Sequence, residues 1–139
     1  MKEDLLQFIW KFKLLNQQNL TTLDGEQLEV ISSGLENNAD GPDFLNARVK
    51  IGSQVWAGNV EIHVNSTDWI KHKHSTNPKF KNLILHVVYK HDVEIEELTF
   101  QKTPTLELTG KLNNELLSRY QELMSSQLWV PCANRISEV

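Results

Sequence analysis

Gly41-Pro42-Asp43-Phe44-Leu45-Asn46-Ala47-Arg48-Val49-Lys50-Ile51-Gly52-Ser53-Gln54-Val55-Trp56-Ala57-Gly58-Asn59-Val60-Glu61-Ile62-His63-Val64 carries most of what the sequence says about the fold. Leu45, Ala47, Val49 and Ile51 alternate with Asn46, Arg48 and Lys50, the period-two pattern of a half-buried strand. Gly52-Ser53 then turns the chain into a second strand over 54–64. Working towards the N-terminus, residues 32–42 read as a polar loop. Before it, Asp24-Gly25 sits between two β-prone runs and predicts an earlier hairpin. Leu5, Leu6, Ile9, Trp10 and Phe12 have helical spacing within residues 3–15.

Towards the C-terminus, Asn65 with Asp68 resembles a capping box, which predicts a short helix from Ser66 to about His74, broken by Asn77-Pro78. Asn82–Tyr89 is almost continuously apolar, as expected of a strand covered on both faces. Pro104–Leu108 predicts a further short strand. Leu112, Leu116, Leu117, Tyr120, Leu123 and Met124 mark an amphipathic helix. The resulting fold class is α/β (α+β): a mixed sheet of about five to seven strands flanked by helices, with 55–64 and 82–90 at its centre. Residues 1–128 read as one domain. Residues 129–139, with no closing element, read as an extension leading into a further region.

The 139 residues carry 14 basic and 18 acidic side chains, a net charge of −4, which argues against nucleic-acid binding through bulk charge. The charge is uneven, however: Lys71–Lys90 holds five Lys, three His and no acid, and four acids follow between Asp92 and Glu97. A solvated helix face explains such a run as well as a basic binding surface does. Cys132 is the only cysteine, no apolar stretch has signal-peptide or membrane-span length, and a cytoplasmic protein without membrane attachment is expected.

Chemistry concentrates between Asp43 and His86. Asp43 precedes one strand of the central hairpin and Glu61 lies within the other, 18 residues on. Two carboxylates brought together by adjacent strands make a hard-oxygen site suited to Mg²⁺ or Mn²⁺. Pro-Asp, a strand, then acid-x-Lys on the next strand resembles the signature of the PD-(D/E)XK nuclease-like superfamily, whose core order is αβββαβ. That resemblance implies a metal-dependent phosphodiesterase acting on nucleic acid. It makes Asp43 and Glu61 the metal-binding acids and the Ile62 carbonyl a further ligand. His63 stands where the usual lysine would, and would position water or join the coordination. Histidine is no permanent cation near neutral pH, so the substitution changes the chemistry.

Most of the chain also looks like the N-terminal part of an uncharacterised bacterial domain-of-unknown-function family. The matching stretches are Ile9–Lys13, Gly41–Phe44, Trp56–His63, Asp68-Trp69, His72–His74, Leu83–Val88 and Pro104–Leu108. This resemblance implies no activity.

Register sets a condition on the metal site. With a two-residue turn, Ile51 faces Gln54, Phe44 faces Glu61 and Asp43 faces Ile62, so the two acids fall on opposite faces. An extra residue at Gly58, or an irregular backbone at Asp43, is needed to bring them together.

The histidines offer alternatives. A Zn²⁺ site drawn from His63, His72 or His74, and His86 would make a zinc-dependent hydrolase, although no compact motif supports it. His86, inside an apolar strand, reads as a hydrogen-bonded core histidine or as a residue orienting Glu61. Asp68 reads as a capping acid. Trp10, Trp56 and Trp69 read as core or interface anchors. The alternative to an enzyme is a non-catalytic binding or assembly module, in which Asp43 and Glu61 tie the Pro42 loop to the sheet and the C-terminus contacts a further region.

Overall fold

The computed structural model describes residues 2–15, 20–71, 82–112 and 114–125. Helix α1 (Glu3–Lys11) is followed by β1 (Leu28–Ser32), β2 (Leu35–Glu36), β3 (Phe44–Ile51) and β4 (Gln54–Asn65). Then come α2 (Asp68–Lys71), β5 (Leu83–Lys90), α3 (Glu96–Gln101), β6 (Thr105–Glu107) and α4 (Asn114–Ser125). The strands form one mixed sheet in the order β1-β3-β4-β5-β6, with β2 also paired to β3. The β1–β3 and β3–β4 pairs are antiparallel, whereas the β4–β5 and β5–β6 pairs are parallel. This is the α+β mixed sheet expected. Among the described residues, no helix is long and apolar enough to cross a membrane.

Strand alternation sorts the core. Phe44, Ala47, Val49, Val60, Ile62, Leu85 and Val87 pack with Leu5, Leu6, Ile9 and Trp10 of α1. Full burial of such side chains contributes about 1.5–3 kcal/mol each. A smaller cluster joins Trp69 of α2 to Leu83, Ile95 and Leu98, so the continuous apolar character of β5 reflects cover on both faces.

Several expectations need correction. The Asp24-Gly25 turn forms, with Gly25 at φ 88°, but its arms meet only at a Thr21–Gln27 bridge. β1 instead pairs with β3, because Val30 and Val49 share the α1-facing core. Inside the expected 32–42 loop, Leu35 and Glu36 pair with Leu45 and Phe44. α3 has no counterpart in the sequence reading; it forms where Ile95 and Leu98 can be buried. The helix expected from Ser66 to His74 is observed over Asp68–Lys71, and the remainder of that span, with His72 and His74, lies outside the described residues. Trp10 and Trp69 are buried, but Trp56 is half-exposed near the hairpin tip.

The bulge lies on the other strand from the one expected. Ala47 faces Gly58 in regular register, so Gly58 is not bulged. The shift falls between Phe44 and Ala47, where Leu45 and Asn46 oppose the single residue Asn59, and Phe44 then faces Val60. Asn46 takes the left-handed conformation, φ 56°, which asparagine tolerates better than most residues. Its N–H donates to Asn59 Oδ1 at 3.2 Å. Gly58 serves another need. A Cβ there would sit 2.5 Å from Ile84 Cγ2 and 2.7 Å from the Asn82 carbonyl oxygen, where β5 approaches.

Candidate functional site

The β3 bulge carries Asp43, one residue beyond the last β3–β4 pair, to a position opposite Glu61. The loop before it is held by Asn37, whose Nδ2 donates to the Pro42 carbonyl at 2.9 Å and whose N–H donates to the Asp43 carbonyl at 2.8 Å. The Asp43 N–H donates to Glu61 Oε1 at 3.1 Å, and the Ile62 N–H donates to Asp43 Oδ2 at 2.8 Å. Gln7 of α1 donates from Nε2 to Asp43 Oδ1 at 3.1 Å. The two acids are therefore brought together, as the sequence required, by a device it did not locate.

Glu61 is 3% exposed, a burial a lone carboxylate seldom tolerates. Burial first, then the charge of Glu61 and a hydrogen bond with it, push the Asp43 carboxyl up to about 8. Each ionised carboxyl thus disfavours ionisation of the other.

Behind the acids lie two histidines. His63 Nε2 is 3.2 Å from Glu61 Oε2, and His63 Nδ1 is 2.8 Å from His86 Nε2. Glu61 and His86 are register partners in the parallel β4–β5 pair, which places both side chains on one face. Both rings are buried and meet at 80° with centroids 5.1 Å apart. Trp69 packs edge-on against them, 5.4 Å from His86 and 6.5 Å from His63. Both ring nitrogens of His63 thus have protein partners, so the ring orients Glu61 rather than adding a metal ligand. His86 is the hydrogen-bonded core histidine of the sequence reading.

Among the described residues, no group of three or more His, Cys, Asp and Glu side chains is arranged to hold a metal ion. A cation here would rest on Asp43, Glu61 and the Ile62 carbonyl. The Ile62 N–H points at Asp43, and a strand residue directs its N–H and C=O to the same side. Ionised carboxylates have about four acceptor positions each, so the hydrogen bonds already made leave capacity for a cation. The donor set is all oxygen, which suits Mg²⁺ or Mn²⁺ better than Zn²⁺.

A second polar cluster at the other end of β4 escaped the sequence reading. Ser66, fully buried, donates to Asp92 Oδ1 at 2.8 Å and accepts from the N–H groups of Asp92 and Val93, each at 3.0 Å. The Thr67 N–H donates to Asp92 Oδ1 at 3.0 Å, and the Thr67 hydroxyl donates to Oδ2. Hydrogen bonds from Thr67 and Ser66 lower the Asp92 carboxyl to about 2. Asp68 caps α2 as expected, its Oδ2 accepting from the Asn65 N–H at 3.1 Å. Gln7 and Asn37 were also missed. Each is a single polar residue whose partner lies far along the chain or across a loop, and neither falls in a motif.

Fold and site define a mixed α+β domain with a facing carboxylate pair, Glu61 buried and Asp43 half-buried, backed by two buried histidines. The chain belongs to the DUF2851 family of proteins of unknown function, whose model matches residues 3–139. No curated protein and no solved structure matches it.

Proposed function

We propose that the chain is a divalent-cation-dependent phosphodiesterase acting on nucleic acid, with Asp43 and Glu61 as the cation-binding acids. The observation that carries this reading is the direct opposition of the two carboxylates across the β3 bulge. Folding presses two acids together beside a buried sheet face, and only a shared proton or a cation relieves the repulsion. The nuclease-like spacing of Pro-Asp and Glu-x-His supports the substrate class; the element order carries one strand more than αβββαβ, with β1 to β4 between α1 and α2. Bound Mg²⁺ or Mn²⁺ would supply polarisation of a phosphodiester and a lowered pKa for attacking water. Gln7 and the Ile62 N–H hold Asp43 in place, and His63 holds Glu61.

Calorimetric titration of Mn²⁺ into the full chain, Asp43→Asn and Glu61→Gln tests the reading. Saturable binding in the parent, lost in both variants, is expected. No binding to the parent would overturn it.

One observation favours a second reading, a non-catalytic module. Each oxygen of the two carboxyl groups already has a protein partner: Gln7, the Ile62 N–H, the Asp43 N–H and His63. In that case Asp43 and Glu61 tie the Pro42 loop to the sheet. Both variants would then lower the melting temperature in the absence of metal, and Mn²⁺ would leave it unchanged in all three proteins.

A further inference from the structure

Side chains along β3 and β4 alternate between the two faces of the sheet. Ala47 and Val49 join the core beneath α1, so Arg48 and Lys50 stand on the opposite face. Ala57 opposes Arg48, and Val55 opposes Lys50. The register shifts put their extra residues on β3 and β5, so β4 alternates without a break from Val55 through Ala57 and Asn59 to Glu61. Arg48, Lys50 and the Asp43–Glu61 pair therefore share one sheet face. Trp69 covers the far part of that face, over His63 and His86. Its near part is open: Glu29, Arg48, Lys50, Val55 and Ala57 are all exposed.

The two cations differ in their surroundings. Lys50 faces Glu29 across the β1–β3 pair, a neighbour of opposite charge. Arg48 lies between Ser32 and Ala57, two short uncharged side chains. Among the described residues, no ion pair or hydrogen bond engages its guanidinium. A planar guanidinium presents a fork of donors that matches a phosphate in two parallel bonds. The strand from Ala57 to Glu61 separates Arg48 from the acid pair by about 13 Å, at roughly 3.3 Å per residue. That is about four steps of one strand along a nucleic-acid duplex.

We propose that Arg48 is a phosphate-binding residue, holding the nucleic-acid backbone about four steps from the phosphodiester that Asp43 and Glu61 face. The proposal rests on the phosphodiesterase reading for its substrate class. It also accounts for how a chain of net charge −4 holds a polyanion. A backbone laid along the open face meets Arg48 and Lys50 before it reaches the acids, so the attraction is local and needs no bulk positive charge. Such a contact fixes the position of the substrate without reading its sequence.

Fluorescence anisotropy with labelled DNA and RNA duplexes of about 20 base pairs, in EDTA across a salt series, tests the contact without any cation. The full chain should bind at least one of the two. Arg48→Gln should weaken that binding about tenfold, the loss of a charge-assisted contact. It should also lower the slope of log affinity against log salt by about one. Lys50→Gln should do less, because Glu29 already offsets that charge. Arg48→Gln should keep the parent's melting temperature and Mn²⁺ affinity, since the side chain is exposed and stands away from the acid pair. Failure of the parent to bind either duplex would overturn the proposal, as would equal affinity and salt slope in parent and Arg48→Gln. So would a parent that is dimeric by light scattering and becomes monomeric in Arg48→Gln, which would make this face an interface between copies of the chain. Absence of Mn²⁺ binding in the parent would sink the cation site alone. A tenfold loss of duplex binding in Arg48→Gln would then still establish the phosphate contact.

Discussion

Two polar clusters adjoin β4, one half-buried around Asp43 and Glu61 and one at the surface around Asp92, and their acids shift in opposite directions. At Asp43–Glu61, two acids face each other and the Asp43 carboxyl rises to about 8. At Asp92, a nearly exposed acid collects neutral hydroxyl and amide donors from Ser66 and Thr67, and its carboxyl falls to about 2. The second cluster meets its single charge with neutral donors at the surface, and it ties the start of α2 to the end of β5. The first sets one carboxyl against another, so the two compete for ionisation even though each oxygen has a hydrogen-bond partner. Hydrogen bonding alone therefore does not set the direction of an acid's shift; burial and a second carboxyl at close range do.

The largest expected difference is in chemistry. If the first cluster binds a catalytic cation, Mn²⁺-dependent cleavage of a nucleic-acid substrate should fall by about 100-fold or more in Asp43→Asn and Glu61→Gln. Asp92→Asn should leave it within about twofold. Equal losses at both clusters would erase the distinction and point to misfolding as the common cause.

Stability without metal should differ in sign. At pH 8, Asp43→Asn removes a repelling acid while keeping a group able to accept from Ile62 and donate to Glu61, so its melting temperature should rise by about 3 °C or more, on the order of 1 kcal/mol. Asp92→Asn weakens the charge-assisted bonds from Ser66 and Thr67 and should lower it. Thermal melts in a chelating buffer measure both. A fall in Asp43→Asn would instead favour the non-catalytic reading. Millimolar Mn²⁺ should raise the melting temperature of the parent at pH 8 and leave Asp43→Asn unmoved.

The pH dependence follows from the same two shifts. Asp43 binds its proton more tightly folded than unfolded, so its contribution is most favourable below about pH 4 and is lost as pH rises towards 8. Asp92 behaves in reverse: its contribution is complete above about pH 4 and lost as pH falls towards 2. Between pH 5 and 8 the parent should therefore lose stability relative to Asp43→Asn, with little change relative to Asp92→Asn. Parallel pH profiles for the parent and Asp43→Asn would show that Asp43 is ionised in the fold.

The two clusters were unequally legible in the sequence, for a physical reason. Asp43 and Glu61 stand out because an acid flanked by Val60, Ile62 and Val64 on a strand is hard to leave in water. The Ser66–Asp92 clamp joins small polar residues across 26 positions with no periodicity to betray it. Strand order along the hairpin was legible because alternation fixes faces and Gly52-Ser53 fixes the turn. The bulge was legible as a requirement only. Parity demanded one extra residue, and glycine drew attention to Gly58, but the glycine there answers the close approach of Asn82 and Ile84. That contact comes from a strand more than 20 residues away, which local reading cannot supply. α3 was missed for a related reason, since its short apolar face acquires meaning only against Trp69 and Leu83.

The smallest expected effect tests the device that makes the first cluster at all. Asn46 holds φ 56° at the bulge, and its backbone N–H meets Asn59 Oδ1. Asn46→Gly should fold with a melting temperature close to the parent's, because glycine adopts that conformation without strain. Asn46→Ala should cost about 1 kcal/mol, the penalty for an ordinary side chain in the left-handed region. If the bulge is what delivers Asp43 to Glu61, alanine should also weaken Mn²⁺ binding more than glycine does, since strain is relieved by regular pairing, which turns Asp43 to the opposite face from Glu61. Asp92 lies on no bulge, so its low carboxyl pKa should be the same in both variants. A change there would mean that the two clusters are coupled through β4 and are not independent sites.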